Sequence, residues 1–258
     1  MELNGKIALI TGGAKGIGLA TGQTFAQTGA QVILLDRDAR AGEAAQEAIG
    51  KNALFIETDV ARSSELQKAI DQGAAHFGGI DFLINNAGIV KYATAENCSE
   101  ADWDEIMNIN LKAAFLGSKF SIPHMRRRGG GVIINVASAQ AFISSSNMVH
   151  YTTAKSALLG FTRSLAIDFA PSIRAIAVCP GTVDTPMAHN AWATSKNPES
   201  VRQDSIAMHL LKRICTPQEV AELIVFLCSN KSAFITGQAI RIDGGLGISV
   251  PGSVNDET

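Results

Sequence analysis

The sequence of 258 residues is poor in the features that mark disulfide scaffolds, metal proteins and membrane proteins. Its four cysteines, Cys98, Cys179, Cys215 and Cys228, stand apart from one another without CxxC or Cys/His ligand spacing. They read as reduced thiols, and no metal site is expected. No stretch approaches the roughly 20 apolar residues that a membrane span needs. The first residues, Met1-Glu2-Leu3-Asn4-Gly5-Lys6, run into a strand pattern without a charged region, an apolar signal core or a cleavage site, so a cytoplasmic protein is expected. An excess of charge is missing too: 22 basic against 24 acidic residues leave a net charge of −2. That excludes a broad basic field for nucleic acid or anionic lipid. The basic run Arg126-Arg127-Arg128 ends an apolar stretch and precedes Gly129-Gly130-Gly131, which suits cations at a helix C-terminus. Internal repeats, linkers and low-complexity segments are absent as well.

What is present is globular: 46% hydrophobic and 18% charged residues supply ample material for a buried sheet. Short β-rich runs alternate with longer helical patterns along nearly the whole chain, the mark of repeated β-α-β units. Strands are expected near 7–10, 31–35, 53–57, 82–85, 132–136, 174–178 and 238–242. Helices are expected near 17–28, 39–48, 63–77, 103–126, 151–169 and 217–229. Right-handed crossovers then give an α/β architecture, a doubly wound three-layer sandwich around a seven-stranded parallel sheet. One domain is expected over 1–248, with a polar tail at 249–258 that is mobile or docked on a neighbouring subunit. The segment 182–209 breaks the rhythm and lacks a clear period, so it is expected to be a long substrate loop over the site.

The first strand runs into Thr11-Gly12-Gly13-Ala14-Lys15-Gly16-Ile17-Gly18, directly before a helix. Glycine there permits positive φ and close backbone approach, and the new helix offers unpaired N–H groups that suit a pyrophosphate. The second strand ends at Asp36-Arg37, where a carboxylate would accept hydrogen bonds from an adenosine ribose. The same carboxylate would repel a 2′-phosphate by about 4 kcal/mol at ~4 Å and an effective dielectric near 20. NAD is therefore expected over NADP, although Lys15 and Arg37 flank the place and would offset part of that repulsion. Asp36 as a helix N-cap is the structural alternative.

Tyr151 and Lys155 stand four apart in a helical pattern and so share one face. A neighbouring ammonium is expected to lower the tyrosine's pKa from its ordinary value of roughly 10 toward the range of proton transfer. Ser138 follows the strand expected at 132–136, where a carboxyl-end loop opens into the ligand crevice. Asn110, in mid-helix, reads alone as a solvated residue or a kink.

Together, Thr11-Gly12-x-x-x-Gly16-x-Gly18, Asp59-Val60, Asn85-Asn86-Ala87-Gly88, Asn110, Ser138, Tyr151-x-x-x-Lys155 and Pro180-Gly181 resemble the short-chain dehydrogenase/reductase family over nearly the whole chain. The resemblance implies a Rossmann-type fold and a catalytic tetrad of Asn110, Ser138, Tyr151 and Lys155. In it, Tyr151 exchanges the proton, Ser138 positions the substrate oxygen, Lys155 also holds the nicotinamide ribose, and Asn110 fixes a water that links Lys155 to solvent. It further implies cofactor contacts at Gly12, Lys15, Gly16, Ile17, Gly18, Asp36 and Arg37, with Asp59 and Val60 beside the adenine. Asn86, Ala87 and Gly88 would run along the cofactor, and Pro180, Gly181, Val183 and Thr185 against the carboxamide. Relatives with a basic residue in the glycine loop prefer NADP, which is what Lys15 brings to the cofactor question.

The substrate is expected to meet Ser138, Gln140, Asn147, Tyr151, Gly181 and His189, and the polar side chains of Gln140, Asn147, His150, His189 and Asn190 suit a polyol. The stretches Val136-Ala137-Ser138-Ala139-Gln140 and Pro180-Gly181-Thr182-Val183-Asp184-Thr185-Pro186-Met187 look like those of family members that oxidise fucose, galactose, glucose or sulfoquinovose at C1 to the lactone. The alternatives are a 3-oxoacyl-thioester reductase, a secondary-alcohol dehydrogenase, and an NAD-sensing protein without turnover. The resemblance also implies a homotetramer built through the helices at 103–125 and 151–169 and the last strand near 237–245.

Overall fold

In a computed structural model the described residues are 3–248; the tail expected at 249–258 lies outside them. Seven parallel strands form one sheet in the order β3-β2-β1-β4-β5-β6-β7. They are β1 (Ile7–Thr11), β2 (Gln31–Asp36), β3 (Ala53–Glu57), β4 (Phe82–Asn85), β5 (Gly131–Val136), β6 (Ile173–Pro180) and β7 (Ala239–Ile242). Each lies within about two residues of its expected position. The central strands are apolar on both faces because both faces are covered. In β1 and β2, Ile7, Leu9, Ile33 and Leu35 enter one core cluster. Their neighbours Ala8, Ile10, Val32 and Leu34 enter the other. This two-residue alternation divides the protein into three layers.

On the first face α3 (Ser63–Phe77), α5 (Ala113–Arg127) and α6 (Val149–Phe169) bury Leu66, Ile70, Leu116 and Leu165. On the second, α1 (Gly16–Gln27), α2 (Ala39–Ile49) and α9 (Pro217–Cys228) bury Phe25, Ala45, Val220 and Ile224. The apolar stretch expected as one helix over 103–126 is α4 (Glu100–Met107) joined to α5 through a π-helical turn, Asn108–Lys112. The basic run closes α5 as expected, with Arg126 and Arg127 in the last turn.

The segment 182–209 is not a loop. It contains α7 (Pro186–Ala193) and α8 (Pro198–Ala207). Thr185 and Asn197 cap them by accepting hydrogen bonds from Ala188 and Ser200, and each cap is followed by proline at the first helical position. That cap-then-proline signature starts a helix even where no apolar period runs long enough to announce one.

Candidate active site

The order of the strands reverses between β1 and β4, and in an open α/β sheet that switch point opens a crevice at the carboxyl ends of the strands. Here the two loops are stitched together. The Thr11 hydroxyl oxygen accepts from the amides of Asn86 (3.0 Å) and Ala87 (3.1 Å), and the Asn86 carboxamide donates to the carbonyls of Thr11 and Gly12, each at 3.0 Å. Gly12 has φ +64°, and a Cβ on it would lie 2.9 Å from the Cα of Ala87. Glycine is thus required for both conformation and approach.

A cavity of about 660 Å³ runs from this loop to the start of α6. Gly12, Lys15, Gly16, Ile17, Asp36 and Arg37 line one end, Asn86, Ala87 and Gly88 its middle, and Ser138, Gln140, Tyr151, Lys155, Pro180, Gly181, Val183 and Thr185 the other end. Lys15 precedes α1 in an extended conformation and gives it no side-chain cap, so the first-turn amides stay available for an anion. Asp36 accepts from the amides of Ala14 and Asp38, each at 3.1 Å, one on each oxygen. A carboxylate retains further lone pairs for a ribose diol. The N-cap of α2 is Asp38 and not Asp36. Asp38 also pairs with the Lys15 ammonium, which turns that charge away from the carboxylate of Asp36. These groups fit a dinucleotide: a glycine cradle, an uncapped helix start and a ribose acceptor share one end of a single cavity.

At the other end, Lys155 is 4% exposed and donates to the Val136 carbonyl at 2.8 Å. Burial pulls its pKa down to about 8, and the nearby Cys179 thiol works weakly the other way. Its Nζ lies 5.7 Å from the centre of the Tyr151 ring. Burial pushes the Tyr151 phenol above its ordinary range, a hydrogen bond with Ser138 pulls it back, and Tyr92 pushes it up. The expected lowering by the ammonium is therefore absent from this state. Lys155 spends its charge on the Val136 carbonyl and lies beside the ring, so desolvation prevails.

Asn110 is buried within the π turn, and its carboxamide clasps one residue. Oδ1 accepts from the Ile89 amide and Nδ2 donates to the Ile89 carbonyl, both at 2.8 Å. It does not line the cavity, yet a Cβ on Gly88 would lie 3.3 Å from Asn110 Oδ1 and 3.5 Å from Lys155 Nζ. The bulge thus brings Asn110 to the Lys155 ammonium across a glycine, where a plain surface asparagine would face solvent. Single-turn π bulges are frequent at functional sites.

Five of the expected contacts lie off the cavity wall. Gly18 faces the Gly12 carbonyl and the Asn86 carboxamide, so its small size serves helix-to-loop packing. Asp59 turns to the Ala61 amide at 3.0 Å and to Arg62, and Val60 packs into the core. Asn147 is exposed with φ +60°, and its carbonyl accepts from the Ala93 amide at 2.7 Å. His189 points outward to Asp184 at 2.5 Å. Gln140 does line the cavity, but its amide is held by Ser145, donating to the hydroxyl at 2.8 Å and accepting from the backbone at 2.9 Å. His150 is fully buried, with burial pulling its pKa down, and its Nδ1 accepts from the Tyr151 amide at 3.0 Å. Val90 and Tyr92 were not foreseen from the sequence, whereas Trp192, Val201 and Met208 fall in the segment 182–209 expected over the site and Met148 lies just before Tyr151; all six line the outer chamber.

A family model described as enoyl-(acyl carrier protein) reductase matches residues 12–247. The chain is 37% identical to the 3-oxoacyl-[acyl-carrier-protein] reductase of Thermotoga maritima over 252 residues, 95% of this chain and 99% of that one. It is 34% identical to the 2-(S)-hydroxypropyl-CoM dehydrogenase 3 of Xanthobacter autotrophicus, over 95% and 98% of the two chains. The ligand-free structure of the aldohexose dehydrogenase of Thermoplasma acidophilum is similar with a TM-score of 0.92 and 37% identity, over 98% of each chain.

Proposed function

The chain belongs to the short-chain dehydrogenase/reductase family and is an oxidoreductase acting on CH–OH groups with a nicotinamide cofactor; from that premise we propose that it is an NAD-dependent aldose 1-dehydrogenase. The observation that carries the chemistry is the lining of one cavity by a glycine-rich cradle at one end and by Ser138, Tyr151 and Lys155 at the other. When bound, the nicotinamide supplies the carbon that takes or gives a hydride. Ser138 would donate a hydrogen bond to the reacting oxygen, and Tyr151 would take the hydroxyl proton in oxidation or return it in reduction. Lys155 would hold the ribose and favour the ionised phenol, while Asn110 would keep Ile89 and a relay water in place. The Asp36 carboxylate, with the Lys15 charge drawn off to Asp38, favours NAD; NADP is the alternative, with Arg37 at its 2′-phosphate.

The aldose reading draws on the likeness to the Thermoplasma enzyme and on Ser145, Ser146 and Asn190 in the cavity wall. A second reading, an alcohol or ketone with an apolar body, is favoured by Val90, Tyr92, Met148, Trp192, Val201 and Met208 in the same wall and by the internal bonding of Gln140. The Thermotoga and Xanthobacter relatives are named for a 3-oxoacyl and a 2-hydroxypropyl group, a ketone and a secondary alcohol and not an aldose. For assembly we propose a homotetramer, because α5 and α6 leave Phe115 and Ile167 exposed. Among the described residues no helix is long and apolar enough to cross a membrane; a cytoplasmic location is part of the proposal.

One screen tests these readings: aldoses and apolar secondary alcohols with NAD and NADP, run on the wild type and on Tyr151→Phe. NADH formation from an aldose, reduced about 10²–10⁴-fold in the variant with NAD binding kept, is the expected result. Turnover of apolar alcohols alone would select the second reading. NAD binding without turnover of anything would select the sensor, and undiminished turnover in Tyr151→Phe would end the proton-transfer assignment.

A further inference from the structure

His209 follows α8, is 2% exposed, and takes no part in the chemistry described above. Both of its ring nitrogens are engaged. Nδ1 lies 2.6 Å from the Ser205 carbonyl, which can only accept, so Nδ1 carries the proton. Nε2 then bears a lone pair and accepts from the backbone amide of Thr182 at 3.1 Å. The ring lies between two glycines. A Cβ on Gly181 would sit 2.7 Å from Nε2, and one on Gly244 would sit 3.4 Å from Cδ2. The carbonyl of Thr182 is held from the other side by the Cys215 amide at 2.9 Å, and the Gly181 amide donates to Ile242 at 3.0 Å.

Thr182 is where the cavity's inner and outer parts meet. It follows Pro180 and Gly181 at the end of β6, and α8 supplies Val201 and Ser205 to the outer wall, with Met208 just beyond it. We propose that His209 is a positioning residue: a neutral imidazole latch that joins the α8 wall of the substrate chamber to the backbone of the loop beside the nicotinamide. The latch works through geometry and donates nothing to the reacting atoms. Its kinetic consequence rests on the reading of Pro180 to Thr185 as a cofactor loop; its structural consequence does not.

The test separates the two nitrogens. In His209→Gln a carbonyl oxygen can replace Nε2 as acceptor for Thr182, whereas in His209→Asn the shorter amide reaches only the Ser205 side; His209→Leu removes both. Hydrogen exchange is read on the ligand-free protein for the peptide containing Thr182, together with KM for NAD and kcat. The expected result is about ten-fold faster exchange at Thr182 in the Asn and Leu variants, a near-wild-type rate in Gln, and a KM for NAD raised about ten-fold in the same two, with kcat changed less. Should the Leu variant not fold, the comparison of Gln with Asn still decides. Equal exchange at Thr182 in Gln and Asn, whether both protected or both open, would overturn the latch. Altered exchange with unchanged KM would keep the latch and remove the cofactor-loop reading instead.

Discussion

Replacing Lys155 by methionine should make the ligand-free protein more stable near neutral pH while abolishing most of its activity. The lysine is almost fully buried, and its ammonium donates to the Val136 carbonyl. Burial holds its pKa at about 8 against 10.5 for an ordinary lysine. Between those two values the unfolded chain binds a proton that the folded chain has released, so stability rises with pH across this window. The sign is the reverse of that for a lysine gaining a salt-bridge partner. Integrated over the whole window, the shift amounts to about 3 kcal/mol, all of it standing against the folded state at pH 7. Methionine fills a similar volume without the charge, and loss of the bond to Val136 returns roughly 1–3 kcal/mol of that gain.

The assay is urea unfolding of wild type and Lys155→Met from pH 6 to pH 10. The difference between the two proteins removes the titrations they share. Cys179 needs separate notice, since burial pushes its thiol up to about 11 from 9.0 and Lys155 pulls it back. Its contribution has the opposite sign, being fully present below the unfolded value and lost as pH rises through 9 to 11. The interval from pH 7 to pH 9 therefore reads the lysine most cleanly, and roughly 1.4 kcal/mol of the difference should disappear across it. A difference that stays flat from pH 6 to pH 9 would refute the claim that Lys155 is held against its own desolvation.

Two further substitutions probe the other end of the cavity and the base of the sheet. Asp36→Ala removes the charge facing a 2′-phosphate and leaves Arg37 in the wall, so the ratio of kcat/KM for NAD over NADP should fall at least ten-fold; an unchanged ratio would mean that Asp36 does not read the ribose. Asp81 is buried against Lys6 (3.1 Å), Arg128 (3.0 Å) and the Ile7 amide (3.0 Å). Asp81→Ala strands the buried Ile7 amide and leaves the partly exposed Lys6 and Arg128 to water, so it should cost about 1–3 kcal/mol in urea unfolding, and no measurable loss would show that the amide finds another partner.

The sheet and its two covers were legible because the central strands, buried on both faces, read as short unbroken apolar runs and helix burial follows the 3.6-residue turn, both of which survive in the bare sequence. Motif residues at the carboxyl ends of strands were legible for the same reason: once β1, β4, β5 and β6 are found, their following loops must share one edge of the sheet. Partners that depend on side-chain direction were not. Gln140 looked free for substrate, yet it folds back on Ser145. His189 looked like part of a pocket, but it ends on the outer side of α7. Asn110 stood out only through the family resemblance and not through its local pattern, because a π turn shifts helix register by one residue and nothing in its own sequence, Asn-Ile-Asn-Leu-Lys, announces that shift.

The same contrast separates the machinery from the chamber. Ser138 and Lys155 hang from β5 and α6, which are joined by a buried chain of amides: Asn85 donates to Asn135 at 2.8 Å, and Asn135 donates to the Thr162 hydroxyl at 2.9 Å. Lys155 is tied to β5 by its own bond to Val136. Moving any of these groups would strand polar atoms inside the protein, a cost of about 1–3 kcal/mol each. The α8 wall is tied instead to the loop after β6, by His209 on Thr182, and that loop pairs with Cys215 through Val183. Exchange of residues such as Trp192, Val201 and Met208, or a shift of their helices, should therefore leave the proposed proton-transfer group undisturbed. A chain of this construction would keep one chemistry while changing its substrate through 182–209, so the roles proposed for Tyr151 and Lys155 bear on the reaction and leave the substrate to the chamber.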